Sequence, residues 1–252
     1  MPKLKNRIGE VRRSNQCGLM NIIEYNSASN ITVKFKTGFI TKTQYSTFKS
    51  GLVKDPLFPI HYGIGYIGIG KHKPSINCKM TIGYKTWNHM LERCYEPYRI
   101  NKFPTYQNAT VCDEWLNFQN FAEWRQEEYY ELLDECVQLD KDIIKKGNKI
   151  YSPEYCSFVP QSINSLLTKS NKARGKYPIG VSFDKNANKF TAKLKVDGKR
   201  KHLGCFLTPT KAFMTYKTAK EEQIKIMANK YKAVLDIKVY QSLMNYEVEI
   251  TD

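Results

Sequence analysis

No apolar run in the sequence approaches the ~20 residues that a helical membrane span needs, and no convincing basic amphipathic helix suggests a membrane-surface role. The opening segment Met1-Pro2-Lys3-Leu4-Lys5-Asn6-Arg7 has no hydrophobic stretch behind its charges, so a secretory signal is not expected. There are seven cysteines, an odd number, and none forms a Cys-x-x-Cys pair. That argues against a fully paired disulfide framework and against a zinc ribbon, and favours reduced thiols in a cytoplasm. Acidic residues are scarce: 24 Asp and Glu face 40 Lys and Arg, a net charge of +16. An excess of this size favours a polyanionic partner, with nucleic acid the leading candidate.

What is present is unevenly placed. Residues 1–55 hold ten basic against three acidic side chains, residues 113–142 ten acidic against two basic, and residues 168–205 eleven basic against two acidic. Two basic ends therefore flank an acidic middle.

The first 70 residues read as a small β-rich domain. Ile31-Thr32-Val33-Lys34-Phe35 alternates at period two, and Thr37-Gly38 suits a turn into Phe39-Ile40-Thr41-Lys42. The stretch from Tyr62 to Gly70 carries the letters of a glycine-rich nucleotide loop but has no helix opening behind it, so a flexible connector or irregular strand is expected. Trp87, Met90, Leu91 and Cys94 form an apolar stripe on a helix over 86–95. A second helix with Asp113 as N-cap would carry Trp115, Phe118, Phe121 and Ala122. Ser165–Tyr177 is polar and basic and reads as a linker.

Beyond it, Ile179–Phe183, Phe190–Val196 and Lys199–Phe206 read as three strands, the last two joined by an Asp197-Gly198 turn, followed by a helix from about Thr210. Phe190, Ala192, Leu194 and Val196 would pack on the helix, leaving Lys193 and Lys195 outside. This segment resembles the APETALA/ethylene-response-factor DNA-binding domain through Gly180-Val181, Lys189-Phe190, Ala192, Leu203-Gly204, Phe206, Thr208, Ala212, Tyr216 and Ala219. The resemblance implies a three-stranded sheet that reads double-stranded DNA, with contacts from Lys185, Lys193, Lys195, Lys199, Arg200 and Lys201.

The segment from Trp87 to Asn164 resembles phage proteins related to HNH endonucleases. It carries Trp87-x-x-Met90-x-x-Arg93-Cys94-Tyr95, Val111-Cys112-x-x-Trp115-x-x-Phe118-x-x-Phe121, Leu139-Asp140-Lys141-Asp142, Tyr151–Pro160 and Asn164. That resemblance implies a ββα-metal unit in which a histidine base activates water and one divalent cation stabilises the leaving oxygen. Here Asp140 and Asn164 fall at the metal positions. The base position holds Lys141 and its orienting position Tyr155. Asp142 stands close enough to serve as ligand or base. Mg²⁺ or Mn²⁺ is the implied ion, and zinc is not expected from Cys94, Cys112 and Cys156, which lack paired spacing.

The expected architecture is α+β in three modules: β-rich 1–70, HNH-like 80–168 and sheet-plus-helix 177–252. The expected function is that of a phage or mobile-element DNA-binding protein of the homing-endonuclease type in a bacterial cytoplasm, either nicking DNA or binding it without catalysis. Alternatives are a factor that blocks a host protein and an RNA-binding protein.

Overall fold

A computed structural model describes residues 6–168, 176–196 and 198–250. Residues 1–5, residues 169–175 of the expected linker and Asp197 of the expected hairpin turn lie outside the described residues. The chain is mixed α and β and falls into two compact units, one of residues 1–127 with 149–152, the other of residues 128–148 with 153–252. No described helix is long and apolar enough to cross a membrane. The cysteines are unbridged.

The first unit opens with β1 (Val11–Ser14), β2 (Gly18–Ser27), β3 (Asn30–Phe35) and β4 (Ile40–Thr43), an antiparallel meander in sequential order. Period-two patterning decides its faces. Met20 pairs with Phe35 and Ile22 with Val33 on the buried side, whereas Asn21 pairs with Lys34 on the other. Gly38 makes the β3–β4 turn at φ +93°, donating its N–H to Phe35. Phe48 of α1 (Tyr45–Lys49) closes the small core.

The unit continues with β5 (Ser75–Ile76), β6 (Lys79–Met80), α2 (Ile82–Tyr95), α3 (Pro97–Lys102), β7 (Thr110–Val111), α4 (Asp113–Leu116) and α5 (Phe118–Glu128). The expected apolar stripe of α2 is wholly buried. It starts four residues earlier than its stripe suggests, because Thr81 Oγ1 caps Tyr84 N. The second expected helix is broken in two. Cys112 rather than Asp113 sits at its N-cap, and the chain leaves helical conformation at Asn117.

That break explains the glycine-rich segment, which is pinned rather than flexible. Asn117 bridges Tyr66 in parallel fashion, and Gln119 Nε2 donates to the carbonyls of Ile67 and His72. A Cβ on Gly68 would lie 2.0 Å from Asn117 Oδ1, and one on Gly65 2.4 Å from Leu91 Cδ1. Gly65 and Gly68 therefore serve close backbone approach.

Next come β8 (Val137–Asp140), β9 (Ile150–Tyr151), β10 (Ser157–Pro160) and α6 (Gln161–Leu167). β9 belongs to the first unit, where it pairs parallel with β7; the others belong to the second. The second unit is completed by β11 (Val181–Asp184), β12 (Lys189–Val196), β13 (Lys199–Phe206), α7 (Pro209–Lys230) and α8 (Ile237–Met244). Thr208 caps α7 by accepting from Lys211 N, and Pro209 occupies the first helical position. Ala212, Phe213, Tyr216, Ile224, Met227 and Ala228 of α7 are buried against Ala192 and Leu194 of β12. Val159 and Ile163, from the β8–β10–α6 segment, belong to the same core. The two segments on either side of the expected linker thus share one hydrophobic interior.

Candidate nucleic-acid interface and strand–strand–helix site

The sheet β11–β12–β13 is antiparallel, and its register determines which cations stand together. Lys193 lies opposite His202 and Lys195 opposite Arg200. Directly opposed residues project to the same face, so these four side chains form one exposed group on the side away from α7. Lys201 lies opposite the buried Leu194, and Lys199 opposite Val196. These two lysines therefore sit on the α7 side of the sheet, at its exposed margin. Lys185 stands apart in the turn after β11, where Asp184 Oδ1 accepts the N–H groups of Asn186 and Ala187 at 3.0 and 3.2 Å.

The division has a local cause. Ala192 pairs with Gly204, but the next residue, Lys193, pairs with His202. Leu203 is the extra residue of a β-bulge, half-buried against the core. One inserted residue inverts the alternation along the rest of β13. Were Leu203 instead part of the regular ladder, opposite Lys193, Lys199 and Lys201 would face outward and Arg200 and His202 inward. His202, absent from the expected contact set, joins the face for this reason. Gly204, at φ +137° within a strand pattern, was the available signal. Thr191 is on the outer face yet buried, with its hydroxyl donating to Ser182 O.

The segment β8–β10–α6 has the strand–strand–helix order that the HNH resemblance implies. Asp140 ends β8, opposite Ser157. Its Oδ1 accepts from Asp142 N at 2.7 Å and Ile143 N at 2.8 Å, shaping the turn that follows. Burial pushes the Asp140 carboxyl above its ordinary pKa, outweighing these two bonds. Asn164, on α6, directs its amide at Gln138, donating to Oε1 at 2.8 Å.

Lys141, at the base position, is 5% exposed. Its ammonium donates to Asp142 Oδ1 at 2.6 Å and to Asn148 O at 2.8 Å, while Asn148 Nδ2 returns a bond to Lys141 O at 2.9 Å. Tyr155, at the orienting position, lies under Lys145, whose ammonium is 5.0 Å from the ring centroid.

These residues do not fit the Mg²⁺ or Mn²⁺ site implied by the resemblance. Lys141 already supplies a positive charge there, which opposes a divalent cation, and one Asp140 oxygen is committed to the backbone. Among the described residues, no three His, Cys, Asp or Glu side chains group as a metal site. The arrangement holds a turn in place, and its nearest amine is engaged in donating to Asp142 Oδ1 and Asn148 O.

No family model, curated protein or solved structure matches the chain.

Proposed function

We propose that the chain is a double-stranded DNA-binding protein of the phage homing-endonuclease-like type, reading DNA with the outer face of β11–β13. The carrying observation is the cross-strand quartet Lys193, Lys195, Arg200 and His202 on one exposed face. A cationic two-stranded β-ribbon is an element that the major groove of B-DNA, about 12 Å across, admits. The A-form major groove of duplex RNA is too narrow to admit it. In this reading the β8–β10–α6 unit supports the reader and does not hydrolyse phosphodiesters, because its base position is an ion-paired lysine.

Fluorescence anisotropy with duplex DNA over a range of salt concentrations tests the proposal. Replacing Lys193, Lys195 and Arg200 together by alanine removes up to three phosphate contacts and flattens the log K against log salt slope by about 2.7. An unchanged slope would sink the sheet as the reader. Plasmid nicking with Mg²⁺ or Mn²⁺ that disappears in Asp140→Ala would overturn the non-hydrolytic part alone.

A further inference from the structure

The second unit contains a groove of about 680 Å³ that the sheet face does not account for. One side is α6 and its C-cap, through Ser162, Ser165 and Thr168. Another is the last part of β12, and α7 contributes Tyr216, Lys220, Gln223 and Met227. The opening exists because β11 is shorter than β12. Their pairing stops at Val181 and Ala192, with one more bond from Lys193 N to Gly180 O at 2.9 Å. Beyond that point Leu194–Val196 pair with β13 on one side, and the other side faces the groove.

The lining has two chemistries. Four of the lining residues, Lys193, Lys195, Arg200 and Lys220, are cationic, and no Asp or Glu lies among the described lining residues. Lys220 is fixed in position by donating to the Leu166 carbonyl at the end of α6. Ile179, Val181, Leu194, Val196, Tyr216 and Met227 supply an apolar wall. Cations beside apolar surface match a ligand with phosphates on one side and flat apolar faces on the other. The volume lies within the range of pockets for small ligands, room for about one or two nucleotides and far too little for a duplex.

We infer that this groove binds a single-stranded stretch of nucleic acid, phosphates toward the lysines and Arg200, a base against the apolar wall. The inference rests on the duplex-binding reading. Lys193, Lys195 and Arg200 belong both to the sheet face and to the groove, so a strand separating from a duplex on that face meets the groove without leaving the cationic surface.

Two substitutions alter the groove while leaving the sheet face intact. Ser165→Trp, at an exposed helix position, fills it; Gln223→Glu places a carboxylate in it with almost no change of shape. Labelled oligothymidylate and a labelled duplex are titrated by anisotropy into the full chain and each variant, with circular dichroism as the folding control. The expected result is a loss of roughly tenfold or more in oligothymidylate affinity for both variants, with duplex affinity within about twofold of the parent. If Ser165→Trp does not fold, the near-isosteric Gln223→Glu decides alone. Oligothymidylate binding unchanged in the folded variants overturns the groove. So does a parent chain that binds duplex but not oligothymidylate, or one whose groove variants lose affinity for poly-glutamate instead. Each of these outcomes leaves the duplex-binding proposal standing. A parent that binds neither nucleic acid overturns both.

Discussion

The Lys141 ammonium lies 2.6 Å from Asp142 Oδ1, and the lysine side chain is almost completely withdrawn from solvent. Asp142 remains half-exposed, so the pair keeps one partner in water. The ammonium also closes the turn by donating to Asn148 O. Lys141→Ala removes this donor from the Asn148 carbonyl and the ion pair with Asp142. A loss of about 2–4 kcal/mol in urea unfolding is expected. Lys141→His, which restores the residue type of the base, is expected to give no Mg²⁺-dependent nicking. Tyr155 is engaged with Lys145, and Asn164 is turned to Gln138. Gain of cleavage in a plasmid-relaxation assay would contradict this.

The bulge at Leu203 separates two sets of lysines that look equivalent in sequence. Alanine at Lys193 or Lys195 is expected to reduce the salt slope of duplex binding by about 1 each, as for lost phosphate contacts. Alanine at Lys199 or Lys201, on the α7 side of the register, should change it by far less. Deleting Leu203 would remove the bulge and leave Lys193 opposite His202 and Lys195 opposite Arg200 in a regular ladder, so the division between the two sets should persist. A shortened chain in which Lys199 and Lys201 take over the salt dependence, measured by the same titrations, would show that this register does not orient the face.

Much of this molecule is readable from residue patterns because local periodicity and packing agree. Ala192 and Leu194 are buried where period two places them, and Trp87, Met90, Leu91 and Cys94 line one side of a helix. The polar constellations are less readable. Lys193 outward follows from alternation, whereas His202 outward depends on one extra residue whose effect appears only in the pairing. Asp140 occupies a metal position in the pattern, yet its carboxylate is engaged by backbone N–H groups two and three residues on. Whether a carboxylate binds a cation or organises a turn depends on turn geometry that spacing does not encode. The Gly65 and Gly68 requirement came from Leu91 and Asn117, each more than twenty residues away in the chain.

Gly180 is required by both its backbone and its neighbour. Its φ is +76°, and a Cβ there would lie 2.0 Å from Tyr216 Cδ2 in the middle of the α7 packing face. Tyr216 is buried and cannot swing aside. Gly180→Ala should therefore cost about 2–4 kcal/mol, combining left-handed strain with overpacking. Gly198 is the control: φ is +77°, but a Cβ there meets nothing within 4 Å. Gly198→Ala should cost only the conformational part, about 1–2 kcal/mol. Equal losses in urea unfolding would mean that Tyr216 yields to the added methyl.

Glu135 makes stability depend on acid. Burial pushes its pKa up, but the hydrogen bonds from Tyr231 Oη and from Ser162 N and Oγ outweigh it, and the charge of Lys230 adds to them. The net result is a pKa below the ordinary 4.5. The folded state thus binds this proton less readily than the unfolded chain, so stability rises with pH across that interval. The contribution is complete above the unfolded value and disappears as pH falls through the lower, folded one. Tyr231→Phe removes the donor that joins the end of α7 to Glu135. At neutral pH it should cost on the order of 1–3 kcal/mol, as for a lost hydrogen bond to a charged group. As pH falls below the ordinary 4.5 and then through the lower, folded value, the carboxyl becomes protonated, and the gap between parent and variant should narrow. Urea unfolding of both at several pH values measures that gap directly. A difference that stays constant from neutral pH into acid would assign the Tyr231 contribution to packing rather than to the Glu135 carboxylate.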